Sequence, residues 1–281
     1  MRDQIKHIIL EEFSDLIEKI KVDFKKNYKK KRRNFILSQF DNETTAEMVF
    51  VSSFESKSGN TIENCARRFA RLKYGDENVP NIINMTGNEV NIKNDNKTQL
   101  IASYIDMSNS NLGGYITTFR KNNTSNGRTP STLNHAKMKE LVDIGNNYID
   151  NDLHTKPVDL AFYDGENWNI MEIKAGGDLD SSNAPSNVDK LLTLYTGMHL
   201  KNCKAYFATL YNKNGEGRTW NGGVKKYLAY PDNFLIGSQF WNKVLPDNIK
   251  FDEFCSIYNE VLEELNLNKI IRDLINFSSE D

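Results

Sequence analysis

The chain has 281 residues, of which 38% are hydrophobic and 26% charged, and its net charge is −2. These proportions predict a soluble globular protein of one large domain or two small ones, and no apolar run is long enough to cross a bilayer, so no membrane partner is expected. Cys65, Cys203 and Cys255 match neither a disulfide framework nor a zinc site, and the four histidines lack a His-x-x-x-His pair, which argues against a zinc hydrolase.

The opening MRDQIKHIILEEF mixes acids into its apolar pattern and has no signal-peptide core, so the chain reads as cytoplasmic. Ile5, Ile8, Ile9, Phe13, Leu16, Ile17, Ile20 and Phe24 recur at helical spacing and predict an amphipathic helix. The run KKNYKKKRR, 25–33, holds seven cations and no acid, leaving −9 for the remainder. It fits a solvated helix end as well as it fits a phosphate contact. NFILSQF and TAEMVFVSSF read as further helical or mixed segments. In ESKSGNTIENCARRFARLKYG, Gly59-Asn60 reads as a break, Thr61 as a cap, and Gly75 as the stop of the helix between them.

Residues 76–134 are rich in Asn, Ser, Thr and Gly and read as a connecting region with short apolar patches, LIASYIDM and GGYITTF. SNSNLGG and RKNNTSNGRTPST read as exposed loops, and HAKMKELVDIGNNYID returns to helical periodicity. The centre is α/β in pattern. PVDLAFYD and WNIMEIKA predict two strands joined by a tight turn at Gly165, Glu166 and Asn167. A helix near 187–199, a buried strand KAYFATLYN, the glycine-rich loop KNGEGRTWNGG and an amphipathic C-terminal helix follow. The expected organisation is a single α/β domain over 1–281: mainly helical and loop additions in 1–150, an α/β core in 154–236, and C-terminal helices in 238–275.

Asp159, Glu172 and Lys174 stand out because unpaired charge is costly on a buried strand. Alternation along a strand puts Glu172 and Lys174 on one face and turns Met171 and Ile173 to the other. Pairing across the turn brings Asp159 alongside, so the three polar groups converge at one end of the sheet. Two carboxylates there are hard ligands suited to Mg²⁺, which keeps several waters and completes its shell from substrate phosphate. The carbonyl of Ile173 is a plausible third ligand, and Lys174 can orient an attacking water and stabilise charge on phosphate. A strand pair carrying one salt bridge is the plain alternative.

The PVD and EIK elements resemble the signature of the PD-(D/E)xK nuclease superfamily. The longer stretch HTKPVDLAFYD to MEIKAGGDLDSSNAPSNVDKLL, with ESKSGNTIENCARR upstream, resembles type II restriction endonucleases, in particular the TdeIII-type family. In this chain one residue, Val158, separates Pro157 from Asp159. The resemblance implies a restriction-endonuclease-like mixed β-sheet core flanked by helices, with N- and C-terminal helical additions. It implies hydrolysis of double-stranded DNA with Mg²⁺, for which Mn²⁺ can substitute, a homodimer on a short palindromic site of GGNCC type, and a cognate DNA methyltransferase as functional partner. Asp159 and Glu172 would then be metal ligands and Lys174 the catalytic lysine. Many such enzymes add an acid from a preceding helix. Glu63 is the candidate because it shares a helical face with Ala66 and Ala70, and Glu55 is its rival on the far side of the Gly59 break. A repair or junction-resolving nuclease of the same fold, or a non-catalytic DNA-binding protein, is the alternative function.

For DNA contacts, Asp180 and Asn183 follow the lysine closely, and Lys190 lies on the next helix. Lys213 and Arg218 sit in the glycine-rich loop, where arginine suits guanine and lysine suits phosphate. Arg120, Lys121 and Arg128 are further candidates in the Asn/Thr-rich segment.

Overall fold

Apolar residues three and four apart make the first segment one long helix, α1 (Arg2–Arg32), with Ile5, Ile9, Phe13, Leu16, Ile20 and Phe24 all on its buried stripe. In the computed structural model, residues 1–85, 98–126, 131–175, 183–220 and 223–278 are described. The chain forms two units, Met1–Arg68 with Pro246–Asp281, and Phe69–Leu245. In the first, α1 packs against α8 (Phe251–Leu265), where Phe13 meets Tyr258 edge-on at 5.3 Å between ring centroids. The basic run 25–33 closes α1, and its cations Lys29, Lys30, Lys31 and Arg32 fall in the last turn, where they complement the helix dipole. A left-handed Asn266 (φ 48°) separates α8 from the final helix, α9 (Leu267–Ser278).

α2 (Asn42–Tyr74) runs without interruption through Gly59 and Asn60, which corrects the expected break. A mid-helix glycine costs about 1 kcal/mol relative to alanine. The buried face that includes Ala46, Val49, Cys65 and Ala66 outweighs that cost. Gly75 does end the helix: its φ of 90° turns the chain, and its N–H returns to the Arg71 carbonyl at 3.0 Å.

The second unit holds two sheets. One is β1 (Ile82–Asn84), β2 (Gln99–Ile105) and β3 (Ile149–Val158), with β1 parallel and β3 antiparallel to the central β2. The other, in order β4 (Leu160–Tyr163), β5 (Trp168–Lys174), β6 (Cys203–Thr209) and β7 (Phe234–Ile236), is antiparallel at β4 and parallel beyond. Mixed sheets flanked by helices are what the restriction-endonuclease-like expectation required. The segment expected to be a connecting region contains LIASYI as the central strand β2 and GGYITTF within a helix, α3 (Ser110–Asn123). The SNSNLGG stretch is the start of that helix, since the Asn109 side chain caps it by accepting from Asn111 and Leu112 N–H. Two short helices, α4 (His135–Met138) and α5 (Glu140–Gly145), precede β3.

Helix α6 (Asn183–Met198) lies against β2, β5 and β6 and buries Val188, Leu191, Leu192, Leu194 and Tyr195. A short α7 (Ser238–Val244) closes the unit. The chain passes from one sheet to the other at Asp159. Gln99, fully buried, braces that passage: its amide donates to the Pro80 and Ala161 carbonyls, each at 2.8 Å, and its oxygen accepts from Ala161 N–H at 2.7 Å. Gln99→Ala strands those three backbone groups and should cost about 2 kcal/mol or more of unfolding free energy in urea titration. A loss below about half that would mean the passage is held by other contacts.

Candidate active site

The hairpin puts the acids where the expected alternation placed them. Leu160 pairs with Met171, so Asp159 and Glu172 are the next residues outward on adjacent strands. Asp159 lies outside the ladder, and its Oδ2 accepts the N–H of Ile173 at 2.9 Å. In an extended strand the N–H and C=O of one residue share an edge. The Ile173 carbonyl therefore lies on the Asp159 side, while the carbonyl of Lys174 faces β6 and accepts from Leu210 N–H at 3.1 Å. Glu172 and Lys174 end a parallel strand at its carboxyl end, the edge where open α/β sheets gather ligands.

Glu172 is 1% exposed. Lys174 Nζ stands 2.7 Å from its Oε1 and 3.9 Å from Asp159 Oδ2. A second ammonium joins them: Lys190 Nζ, from α6, is 2.6 Å from Glu172 Oε2 and 3.1 Å from Asp159 Oδ1. Both ammonium groups are at ion-pair distance from Glu172, one on each of its buried oxygens. Burial first, and the Asp159 charge second, push the Glu172 carboxyl above the ordinary range, against the pull of Lys174 and Lys190. Burial depresses the Lys190 ammonium, but the charges of Asp159 and Glu172 outweigh it and hold Lys190 above the ordinary lysine value. Lys156 is a third cation nearby, lowered by burial and then by the Lys190 charge, and its Nζ donates to the Met107 carbonyl at 3.3 Å.

Two carboxylates and a carbonyl on the Asp159 side suit a hard divalent cation. Asp159, Glu172, Ile173 and Lys174 are thus brought together as the spacing implied, and Lys190, expected as a DNA contact, sits at the carboxylates themselves. Glu63 is half-buried on α2, and Glu55, on the same unbroken helix, is exposed. The helix break that had set Glu55 apart from Glu63 is absent.

The DNA-contact candidates divide. Asp180 and Arg128 lie outside the described residues, and Asn183 is the exposed first residue of α6. Lys213 and Arg218 are exposed on the loop that leaves β6 next to Lys174. That loop is shaped by its asparagines: Asn212 donates to the Arg218 carbonyl at 2.6 Å and Asn214 to the Thr219 carbonyl at 2.7 Å, while Gly215 and Gly217 take positive φ. Arg120 is a correction. It is a buried residue of α3, not a loop cation, and its Nε and Nη2 bind the Asp189 carboxylate at 2.6 and 3.2 Å. Lys121 beside it is exposed on the same helix.

One group went unseen in the sequence. Asp106, Asp150 and His154 present ligand-type atoms within 4.8 Å of one another, with His154 Nε2 2.8 Å from Asp150 Oδ2 and Nδ1 3.5 Å from Asp106 Oδ1. The signal for half of it was the Asp-x-x-x-His spacing on one face of β3. The other half, Asp106, comes from the end of β2, inside the segment whose composition reads as a connecting region.

The family described as "Type II restriction endonuclease, HinfI" matches residues 1–262. No curated protein and no solved structure matched the chain closely enough to count. The matched family supports the restriction-endonuclease resemblance, while the TdeIII-type assignment within it is not confirmed.

Proposed function

Since the chain belongs to the HinfI family of type II restriction endonucleases, hydrolases that act on DNA, we propose that Asp159, Glu172 and Lys174 form its catalytic centre, of PD-(D/E)xK type, and that it cuts duplex DNA with Mg²⁺ at a short palindromic site. One observation carries this reading: a buried glutamate beside a second carboxylate, with lysine ammonium groups on both, at the sheet's carboxyl edge.

Asp159, Glu172 and the Ile173 carbonyl would hold the cation, with Mn²⁺ able to replace Mg²⁺. When bound there, the cation supplies the positive charge that acidifies water and neutralises the phosphodiester. Lys174, 2.7 Å from Glu172, orients the attacking water and screens charge growing on the phosphate. The Ile173 N–H fixes Asp159 by holding one of its oxygens. In-line attack would leave 5′-phosphate and 3′-hydroxyl ends. Glu63 is the candidate additional acid, and Lys213 and Arg218 are candidate DNA contacts. A palindromic target calls for a homodimer, and a cytoplasmic nuclease of this kind calls for a cognate methyltransferase. The GGNCC-like target rests on the TdeIII-type resemblance, which the matched family does not confirm. Among the described residues no helix is long and apolar enough to cross a membrane.

Plasmid DNA incubated with purified protein and Mg²⁺ should yield discrete fragments, and a chelator should abolish them until Mg²⁺ is restored. End sequencing then reads the target and stagger. Fragments of random length would remove the site-specific reading, and cutting confined to branched or damaged substrates would favour the repair alternative. No cutting with any divalent metal would remove the catalytic one.

A further inference from the structure

The site is electrically balanced before any cation arrives, with the carboxylates of Asp159 and Glu172 facing the ammonium groups of Lys174 and Lys190. The two lysines are not equivalent. Lys174 sits on β5, and its shorter contact is to Glu172 alone, with Asp159 at 3.9 Å. Lys190 reaches in from α6 and touches an oxygen of each acid, at 2.6 and 3.1 Å, a bridging position that a shared cation would take. Its side chain is 30% exposed, so its flexible stem has a way out to solvent. Lys156 already adds like charge beside it.

On the reading of the acids as metal ligands, we propose that Lys190 is a positioning residue that occupies the cation site between Asp159 and Glu172 in the metal-free protein and is expelled by the divalent metal toward the incoming phosphate. The step makes and breaks no covalent bond, and Lys190 stays an ammonium throughout. It keeps a buried carboxylate pair from facing itself uncompensated, and it delivers a positive charge to the substrate only once the metal is seated.

The test uses the wild-type protein without DNA. Lysines are labelled by reductive methylation with and without saturating Mn²⁺, and labelling at Lys190 is quantified by mass spectrometry. Lys190 should label several-fold faster with Mn²⁺, while Lys137, on the exposed surface and paired with Glu140, should not change. Unchanged Lys190 labelling overturns the proposal. Lys190→Met, checked for folding, should bind Mn²⁺ about tenfold more tightly, because no ammonium has to be displaced. Equal or weaker binding counts against displacement. Asp159→Asn separates this idea from the one beneath it. If that variant loses Mn²⁺ binding while wild-type Lys190 labelling ignores the metal, the nuclease site stands and the role given to Lys190 falls. If Asp159→Asn binds Mn²⁺ normally, the metal assignment itself has failed.

Discussion

Glu172→Gln should lower plasmid cleavage by at least about a thousandfold, since a lost anionic ligand removes several kcal/mol of charge stabilisation from the transition state. DNA retention measured without metal should change little, because the side chain is buried beneath the sheet edge and offers no surface to a duplex. Asp159→Asn and Lys174→Ala should behave alike in kind. The stability of the metal-free protein gives an independent reading with a definite sign. A carboxyl held above its ordinary range in the folded state binds a proton more readily there than in the unfolded chain. Its contribution is favourable below the ordinary glutamate value and is lost as pH rises through the raised one. Glutamine does not titrate. The wild type should therefore lose stability relative to Glu172→Gln across that rising window, measured as paired urea titrations at several pH values. Near-normal cleavage by Glu172→Gln would end the assignment of the active site, and an opposite pH trend would mean that the lysines, not burial, dominate the environment of Glu172.

The hairpin was legible because three independent cues agreed: strand alternation over WNIMEIK, a turn at Gly165 to Asn167, and charges that burial penalises. The structure adds the turn's chemistry, with Asp164 Oδ1 accepting the N–H groups of Glu166 and Asn167. The passage of the chain between sheets at Asp159 could not be read from PVDLAFYD, since both halves look equally extended. The Gln99 brace, from a strand about sixty residues earlier, marks the division together with the change of pairing partner from β2 to β5. Local rules misled where tertiary burial overrode them. Gly59 sits inside a helix whose buried face pays its entropic cost, and Gly113 and Gly114 lie in α3, which buries Leu112, Ile116 and Phe119. Lys190 and Arg120 show the other limit. Both are lysine or arginine in polar-looking contexts, and which one serves the acids and which one locks a helix depends on contacts 31 and 69 residues away in sequence.

That second contact leads to the largest expected loss of stability. Arg120→Ala should destabilise the protein by about 3 kcal/mol, because it removes the buried partner of an ion pair and leaves the half-buried Asp189 carboxylate without it. Among the described residues, the Asp189 carboxylate loses both guanidinium contacts and keeps the Thr117 hydroxyl, at 3.0 Å. The arginine also lies over the Tyr227 ring, 5.5 Å from its centroid, so packing is lost along with charge. Asp189 immediately precedes Lys190 on α6, and α3 packs against that helix, so the pair is expected to hold the height at which Lys190 meets the acids. Arg120→Ala should therefore lower cleavage more than its population of folded protein explains, when both are measured at the same temperature. A double-mutant cycle with Asp189→Asn isolates the pair: the two changes together should cost clearly less than their sum. A loss near that of an exposed ion pair, below about 1 kcal/mol, with cleavage tracking the folded fraction, would show that the α3–α6 contact holds without this bridge and that Lys190 takes its position from the apolar face of α6 alone.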